Sequence, residues 1–156
     1  MSAPEGDELL LQTLNFVGIA NQLVVTRANE LLRDGDLPFP QFVMLSHFMK
    51  DPARPRTVTG VAAAFQAPQP GITKTIQKLA RSGRLEYRPS PDDARVKHIF
   101  VTPAGRRAFA AAVGRLAPDM RLVFAEWREA DIRRLHDLLR RLKDWLDDNR
   151  ERRAQR

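Results

Sequence analysis

The sequence predicts a mainly α-helical fold with one small two- or three-stranded antiparallel hairpin. Apolar residues recur at helical spacing over most of the 156 residues, and only one short region alternates as strands do. Clusters of proline and glycine separate these segments. Hydrophobic residues make up 43% of the chain, enough for a packed core, so wholesale disorder is excluded.

Three helices are predicted in the first half. The first runs from Asp7 to about Leu32, where apolar residues recur three, four or seven positions apart. The sequence RDGDLPFP ends it, because Gly35 can adopt the left-handed conformation and prolines follow. A short helix is expected over 41–49. A third, ending at Phe65, can take either Thr57 or Thr59 as its N-cap.

The next helix, expected from about Pro70 to Arg81, is sharply two-faced. Its apolar residues share one side, and these are Ile72, Ile76 and Leu79. The opposite side carries Lys74, Gln77, Lys78 and Arg81. Gly83 is expected to end the helix as a C′ glycine.

A hairpin and two further helices complete the chain. Strands are predicted at 85–88 and 96–102, joined by the turn PSPDDA. Thr102 and Pro103 form an N-cap and a first helical position, and Pro118 is expected to kink the helix that follows. A cleanly amphipathic helix begins at about Glu129, and NRERRAQR is expected to be a frayed basic tail.

Positive charge is concentrated in the middle third of the chain. The segment 54–107 contains eleven basic and three acidic residues, whereas the rest contains fifteen basic and sixteen acidic residues. The first segment therefore carries a net charge of +8 and the remainder −1. A polyanion such as nucleic acid would explain this asymmetry, and a merely soluble basic surface is the alternative.

Short helix, turn, basic helix and hairpin together predict a winged helix-turn-helix that binds double-stranded DNA. A helix fits the major groove, and a hairpin beside it can reach the backbone or the minor groove. At the tip of the hairpin, we expect Asp93 to orient the Arg95 guanidinium by a charge-assisted bond; a solvated turn is the alternative. The candidate DNA-binding residues are Arg56, Gln69, Thr73, Lys74, Gln77, Lys78, Arg81, Arg88, Asp93, Arg95 and Lys97.

The stretch from Thr57 to Phe109 resembles the DNA-binding core of MarR-type transcriptional regulators. The resemblance rests on the Ala-rich short helix, GITKTIQKLARSG as recognition helix, the Asp93-x-Arg95 pattern and VTPAG at the next helix. Ala94 departs from the pattern, since the family usually has a second arginine at that position. The long terminal helices also resemble the family layout.

The resemblance implies one domain over 1–156, with dimerisation helices at 7–36 and 104–150 and a winged helix-turn-helix lobe at 40–103. It also implies a homodimer that binds a pseudo-palindromic operator and acts as a repressor. A small aromatic effector is expected to release this homodimer from the operator. Candidate effector contacts are Phe16, Phe39 and Phe42, which are equally good core residues.

Several functional classes have no support in the sequence. The chain contains no cysteine, so thiolate catalysis and cysteine-based zinc sites are excluded. Its three histidines lack a metal-binding spacing, and no catalytic motif is present, so we expect no metal, no cofactor and no enzymatic activity. No apolar run is expected to span a membrane, and a cytoplasmic location is expected. A partner-binding adaptor without an operator, or a small-molecule enzyme, remains the alternative.

Overall fold

The computed structural model describes residues 5–149, which form six α-helices and one two-stranded antiparallel sheet. The predicted fold class is confirmed. In chain order the elements are α1 Glu5–Leu31, α2 Phe39–Met49, α3 Val58–Phe65, α4 Gln69–Arg81, β1 Leu85–Pro89, β2 Lys97–Val101, α5 Pro103–Val123 and α6 Glu129–Asp148.

The chain divides into two compact units, one up to Leu116 and one from Ala117 onward. The first contains α1 to α4, the hairpin and most of α5, together with the buried core of the described residues. The second contains the end of α5, which continues past Pro118, and α6. The finer division of 1–156 into dimerisation helices and a winged lobe stays a prediction.

The core of the first unit joins short elements that would not be stable alone. Leu45 and Phe48 from α2, Ile76 and Leu79 from α4 and Ile99 from β2 are almost completely buried. Burying one such side chain contributes about 1.5–3 kcal/mol relative to leaving it exposed. Helices of 8 to 13 residues and a two-stranded hairpin are marginal in water, so this shared burial is what stabilises them.

Hydrogen bonds close both ends of α3 and shape the turn that leads to α4. Thr57 is the N-cap of α3, because its Oγ1 accepts a bond from the Gly60 N–H at 3.1 Å. At the other end Gln66 adopts the left-handed conformation with φ of 49°, and the Ala67 N–H donates to the Ala62 carbonyl at 3.3 Å. This tight exit allows α4 to begin at Gln69, only four residues after α3 ends.

The hairpin is buried on one face and exposed on the other. Leu85 pairs with Val101, and this register places Leu85, Ile99 and Val101 in the core. The other edge of β2 accepts one additional residue, because the Ile99 N–H donates to the Arg56 carbonyl at 2.8 Å. The sheet therefore has two strands, with Arg56 as a single-residue third.

The helices at both ends of the described chain expose large apolar side chains. On α1 these include Leu10, Leu14, Phe16 and Leu23, all more than half exposed, whereas only Ala28 is buried. On α6, which has no buried residue, Trp145 is 60% exposed. The tail from Arg150 onward lies outside the described residues.

The first helix, α1, is more apolar than the sequence prediction allowed. Within Gly6–Leu31 the helix is long and apolar enough, by length and composition alone, to cross a membrane. The isolated polar residues Gln12, Asn15, Asn21 and Gln22 interrupt the apolar run in the sequence but carry no charge. Helices that pack against another protein surface have the same composition, so this property alone does not place α1 in a bilayer.

Candidate nucleic-acid interface

The exposed side of α4 forms a polar and basic band. Ile72, Ile76 and Leu79 are buried, as the spacing predicted, and the opposite side chains are exposed. These exposed residues are Gln69, Lys74, Gln77, Lys78 and Arg81. An open depression of about 590 Å³ follows the flank of the helix, lined by Gln69, Pro70, Thr73, Lys74 and Gln77.

Thr73 differs from the other residues of this band, because its hydroxyl proton is already used. The Thr73 Oγ1 donates to the Gln69 carbonyl at 2.8 Å, one turn earlier in α4. The side chain can therefore offer its methyl group and an acceptor lone pair to a partner, but not a donor. By contrast, the Gln77 amide is exposed and forms no hydrogen bond to the described residues, so it can donate and accept.

The cations of α4 have no ion-pair partner among residues 5–149. The helix contains no acidic residue, and Lys74, Lys78 and Arg81 make no salt bridge there. The basic residues of α6 behave differently, since Arg133 pairs with Glu129 and Lys143 with Asp147 within their own helix. The charge of α6 is thus locally compensated, whereas the charge of α4 is left for an external anion.

The tip of the hairpin is a tight loop, and it differs from the prediction. The Asp93 Oδ1 accepts a hydrogen bond from the main-chain N–H of Arg95 at 2.9 Å, and the Asp93 carbonyl accepts one from Val96. No ion pair joins Asp93 to the Arg95 guanidinium within the described chain. The expectation that Asp93 orients this guanidinium is therefore wrong, because a carboxylate two residues earlier bonds the nearer backbone donor.

Two further hairpin residues from the prediction are exposed, but in different states. Lys97 begins β2 and extends into solvent. Arg88 forms an ion pair with Glu86 on the same strand, and its guanidinium lies 4.8 Å from the centre of the Phe100 ring. Arg88 is therefore held against the outer face of the hairpin, and only part of its hydrogen-bonding capacity faces solvent.

The sequence places Arg56 among the candidate DNA-binding residues, but in the structure its guanidinium is hydrogen-bonded within the protein. Its Nη1 donates to the Asp51 carbonyl at 2.8 Å and to the Arg54 carbonyl at 3.1 Å. Its Nη2 donates to the His47 carbonyl at 3.1 Å. Burial, together with the charge of Arg54, lowers the pKa of Arg56. Sequence reasoning missed this role because arginine in a loop is usually solvated.

The half-buried His47 lies next to this arginine. Its ring packs edge-on against Phe48 at 5.9 Å and against Phe65 at 5.4 Å. Burial and the nearby charges of Arg56, Lys50 and Arg54 lower the pKa of His47, because the protonated form would be desolvated beside other cations.

The three candidate effector contacts do not form one pocket among the described residues. Phe39 stacks on Phe42 at 6.1 Å, and Phe42 stacks on Phe109 at 5.1 Å, so both pack against the core. Phe16 is 67% exposed on α1. None of the three lines the cavity of about 110 Å³, which is formed by Leu32, Gly35, Asp36, Leu37, Ala108, Ala111, Ala112 and Arg115.

Residues 5–149 contain no group of three or more histidine and acidic side chains that could hold a metal ion. His98 lies on β2 with its ring edge-on to Phe100 at 6.5 Å. The polar groups of the site are therefore those of the α4 band and the hairpin, and both are suited to binding a large anion.

The capped helix α3, the left-handed turn, the exposed basic helix α4 and the hairpin define a winged helix-turn-helix. No protein-family model matches the chain, and no curated protein matches it. Solved structures do resemble it. The transcriptional regulator BldR from Sulfolobus solfataricus is 21% identical with a TM-score of 0.71, over 89% of this chain and 99% of that one.

Two other similar structures are named for the MarR family. A MarR family protein from Bacillus stearothermophilus is 19% identical with a TM-score of 0.72, over 93% of this chain and 99% of that one. Wild-type MarR from E. coli is 18% identical with a TM-score of 0.70, over 91% and 98%. The chain thus has the MarR-type winged helix-turn-helix fold, as the resemblance in its sequence implied.

Proposed function

We propose that this protein is a sequence-specific DNA-binding transcriptional regulator that acts as a homodimer and represses transcription. One observation carries the proposal: an exposed helix bears cations without ion-pair partners among the described residues, beside an exposed glutamine amide. Lysine and arginine bind phosphate or guanine, and glutamine can read adenine. The similar structures include transcriptional regulators, which agrees with this function.

The exposed apolar helices support a homodimer. Side chains such as Leu10 and Leu14 on α1 and Leu139 and Leu146 on α6 are between 43% and 63% exposed in the single chain. Exposed apolar surface of this extent marks a protein–protein interface, and a second copy would cover it with a closed two-fold symmetry. Two recognition helices related by such an axis would bind two half-sites of a pseudo-palindromic operator.

Selection of DNA from a random pool tests the function. Duplexes retained by the protein at moderate salt should converge on two inverted half-sites separated by about one helical turn. Failure to enrich any sequence over the input pool would contradict sequence-specific binding and would favour the adaptor alternative. Placing the selected site across a promoter then tests repression, which transcription in vitro would report as a loss of product.

Release by a small aromatic effector is part of the same proposal. The aromatic residues Phe39, Phe42 and Phe109 form a stack in the first unit, and a flat ring could insert beside it. A panel of small aromatic acids should include a member that raises the melting temperature and dissociates the operator complex. Melting temperatures and complexes that no member of the panel changes would contradict effector release while leaving DNA binding intact.

A further inference from the structure

We infer that Arg56 is a positioning residue for the wing, the segment 85–101, and contributes to DNA binding by fixing where Arg95 reaches and not by touching DNA. The inference rests on the proposed function and gives a different role to a side chain that the sequence placed among the candidate DNA-binding residues. Its basis is a continuous series of hydrogen bonds from α2 to the tip of the hairpin.

The guanidinium of Arg56 is the first part of this series. Three hydrogen bonds join it to the carbonyls of His47, Asp51 and Arg54, at 2.8 to 3.1 Å. The His47 carbonyl belongs to the last turn of α2, where the carbonyls have no N–H donor within the helix. The guanidinium also lies 5.3 Å from the centre of the buried Phe48 ring. The side chain is thus anchored to the C-terminal end of α2.

The main chain of Arg56 is the second part. Its carbonyl accepts the Ile99 N–H at 2.8 Å and forms the only bridge outside the two strands that is seen in the described residues. The next residue, Thr57, caps α3. One residue therefore fastens β2 to both the α2 end and the start of the helix-turn-helix.

The hairpin transmits this position to its tip. Five residue pairs, from Leu85↔Val101 to Pro89↔Lys97, join the two strands. Beyond them the Ser90 N–H donates to the Val96 carbonyl at 2.8 Å, and the Asp93 carboxylate bonds the Arg95 N–H. Each link is a short backbone or side-chain hydrogen bond, so a displacement at Ile99 would be carried to Arg95.

Arg56 is poorly placed for a phosphate. Three of its five N–H groups are already donated inside the protein, and the side chain is only partly exposed. Breaking these bonds to reach DNA would leave the carbonyls of His47, Asp51 and Arg54 without that donor. Arg54, two residues earlier, is exposed and provides a matched control.

A double-mutant cycle on the selected operator separates the two roles. Arg56→Lys keeps the positive charge but cannot make the three-carbonyl contact, since its ammonium is a compact point donor. We expect Arg56→Lys to weaken binding about tenfold with an unchanged salt slope, and to change it by less than about twofold when Arg95 is already alanine. Arg54→Gln should lower the salt slope by at most about one unit and add to Arg95→Ala.

The opposite pattern would overturn the inference. A phosphate contact predicts that Arg56→Lys binds nearly as well as the parent, that Arg56→Gln lowers the salt slope by about one unit, and that both add fully to Arg95→Ala. A variant that loses its fold outright would also overturn it, because the side chain would then support the whole core and not the wing.

Hydrogen exchange gives a readout that does not depend on DNA. The Ile99 amide, bonded to the Arg56 carbonyl, should exchange at least tenfold faster in Arg56→Lys than in the parent, while the Leu79 amide in α4 is unaffected. Arg54→Gln should leave both amides unchanged. If the parent binds no DNA, the proposed function fails, but the Ile99 exchange rate still decides whether Arg56 holds the wing.

Discussion

Gly105 lies so close to Arg84 that a Cβ built on the glycine would be 2.2 Å from the Arg84 carbonyl oxygen. The same carbonyl accepts the Thr102 N–H at 3.1 Å, and the Thr102 hydroxyl caps α5 by accepting the Gly105 N–H at 3.0 Å. The start of α5 is thus packed directly on the turn after α4. The VTPAG motif needs its glycine for this close approach.

Gly105→Ala should therefore destabilise the first unit. The added methyl would meet backbone and the Val101 side chain at 2.9 Å, neither of which can move freely, so we expect a loss of about 1–3 kcal/mol. Urea denaturation at one fixed protein concentration would measure it. Gly114→Ala on the same helix has open space around it and should be neutral or slightly stabilising. Equal stability of the two variants would contradict the packing argument.

Gln77→Ala should relax base preference. The Gln77 amide is exposed at the middle of α4 and is free to bond a base edge, so its loss should cost on the order of 1–3 kcal/mol against the best operator. Comparing selected and single-base-substituted duplexes by fluorescence anisotropy would show loss of discrimination at one or two positions per half-site. Uniform weakening on all sequences would instead indicate a backbone contact.

Arg95, at the tip of the wing, is predicted to contribute to operator binding through its charge. Arg95→Ala should weaken operator binding by about tenfold to a thousandfold and lower the salt slope by about one unit, since it removes from the proposed DNA contact a guanidinium that has no ion-pair partner among residues 5–149. Its melting temperature should not change, because Arg95 is exposed and supports no core contact.

Substitutions of Asp93 separate its charge from its hydrogen bond. Asp93→Asn keeps the Oδ1 acceptor for the Arg95 N–H and removes a negative charge, so we expect binding equal to or tighter than that of the parent. Asp93→Ala loses the turn bond and should bind more weakly than Asp93→Asn, though less weakly than Arg95→Ala. If alanine and asparagine bind equally, the hydrogen bond does not hold the tip.

His47 makes the stability of the fold depend on pH. Because its pKa is lowered in the folded state, the unfolded chain binds more protons, and the stabilisation is complete above the unfolded pKa of about 6.5. That stabilisation is lost as the pH falls through the lowered pKa. The parent should therefore lose more stability between pH 7 and pH 5 than His47→Gln does. An identical loss in His47→Gln and in the parent would contradict the assignment.

The exposed helices predict a stable dimer in solution. Light scattering at micromolar concentration should give about twice the chain mass of 17.8 kDa. Leu139→Asp, which places a charge on the exposed apolar side of α6, should shift the mass towards the monomer. Arg133→Asp, on the opposite side of the same helix and paired with Glu129, serves as a control that changes charge away from the apolar side. A monomeric parent would contradict the dimer.

The sequence by itself determined the order and type of the elements. The buried positions of α4 and the two-faced helix around them followed from apolar spacing, and the cap at Thr102 followed from its place before Pro103. These are local properties, because side chains three or four residues apart share one side of a helix and a cap bonds an amide within the first turn.

Only the tertiary structure decided what the charged side chains do. Arg56 and Arg88 are both candidate DNA-binding residues in the sequence, yet Arg56 bonds a carbonyl nine residues away in α2, and Arg88 lies over the Phe100 ring of the other strand. The Asp93 bond to the Arg95 N–H is by contrast a local turn. A charge pattern does not distinguish these outcomes, because whether a cation meets a carbonyl, a carboxylate or solvent depends on which backbone groups the fold brings within about 3 Å.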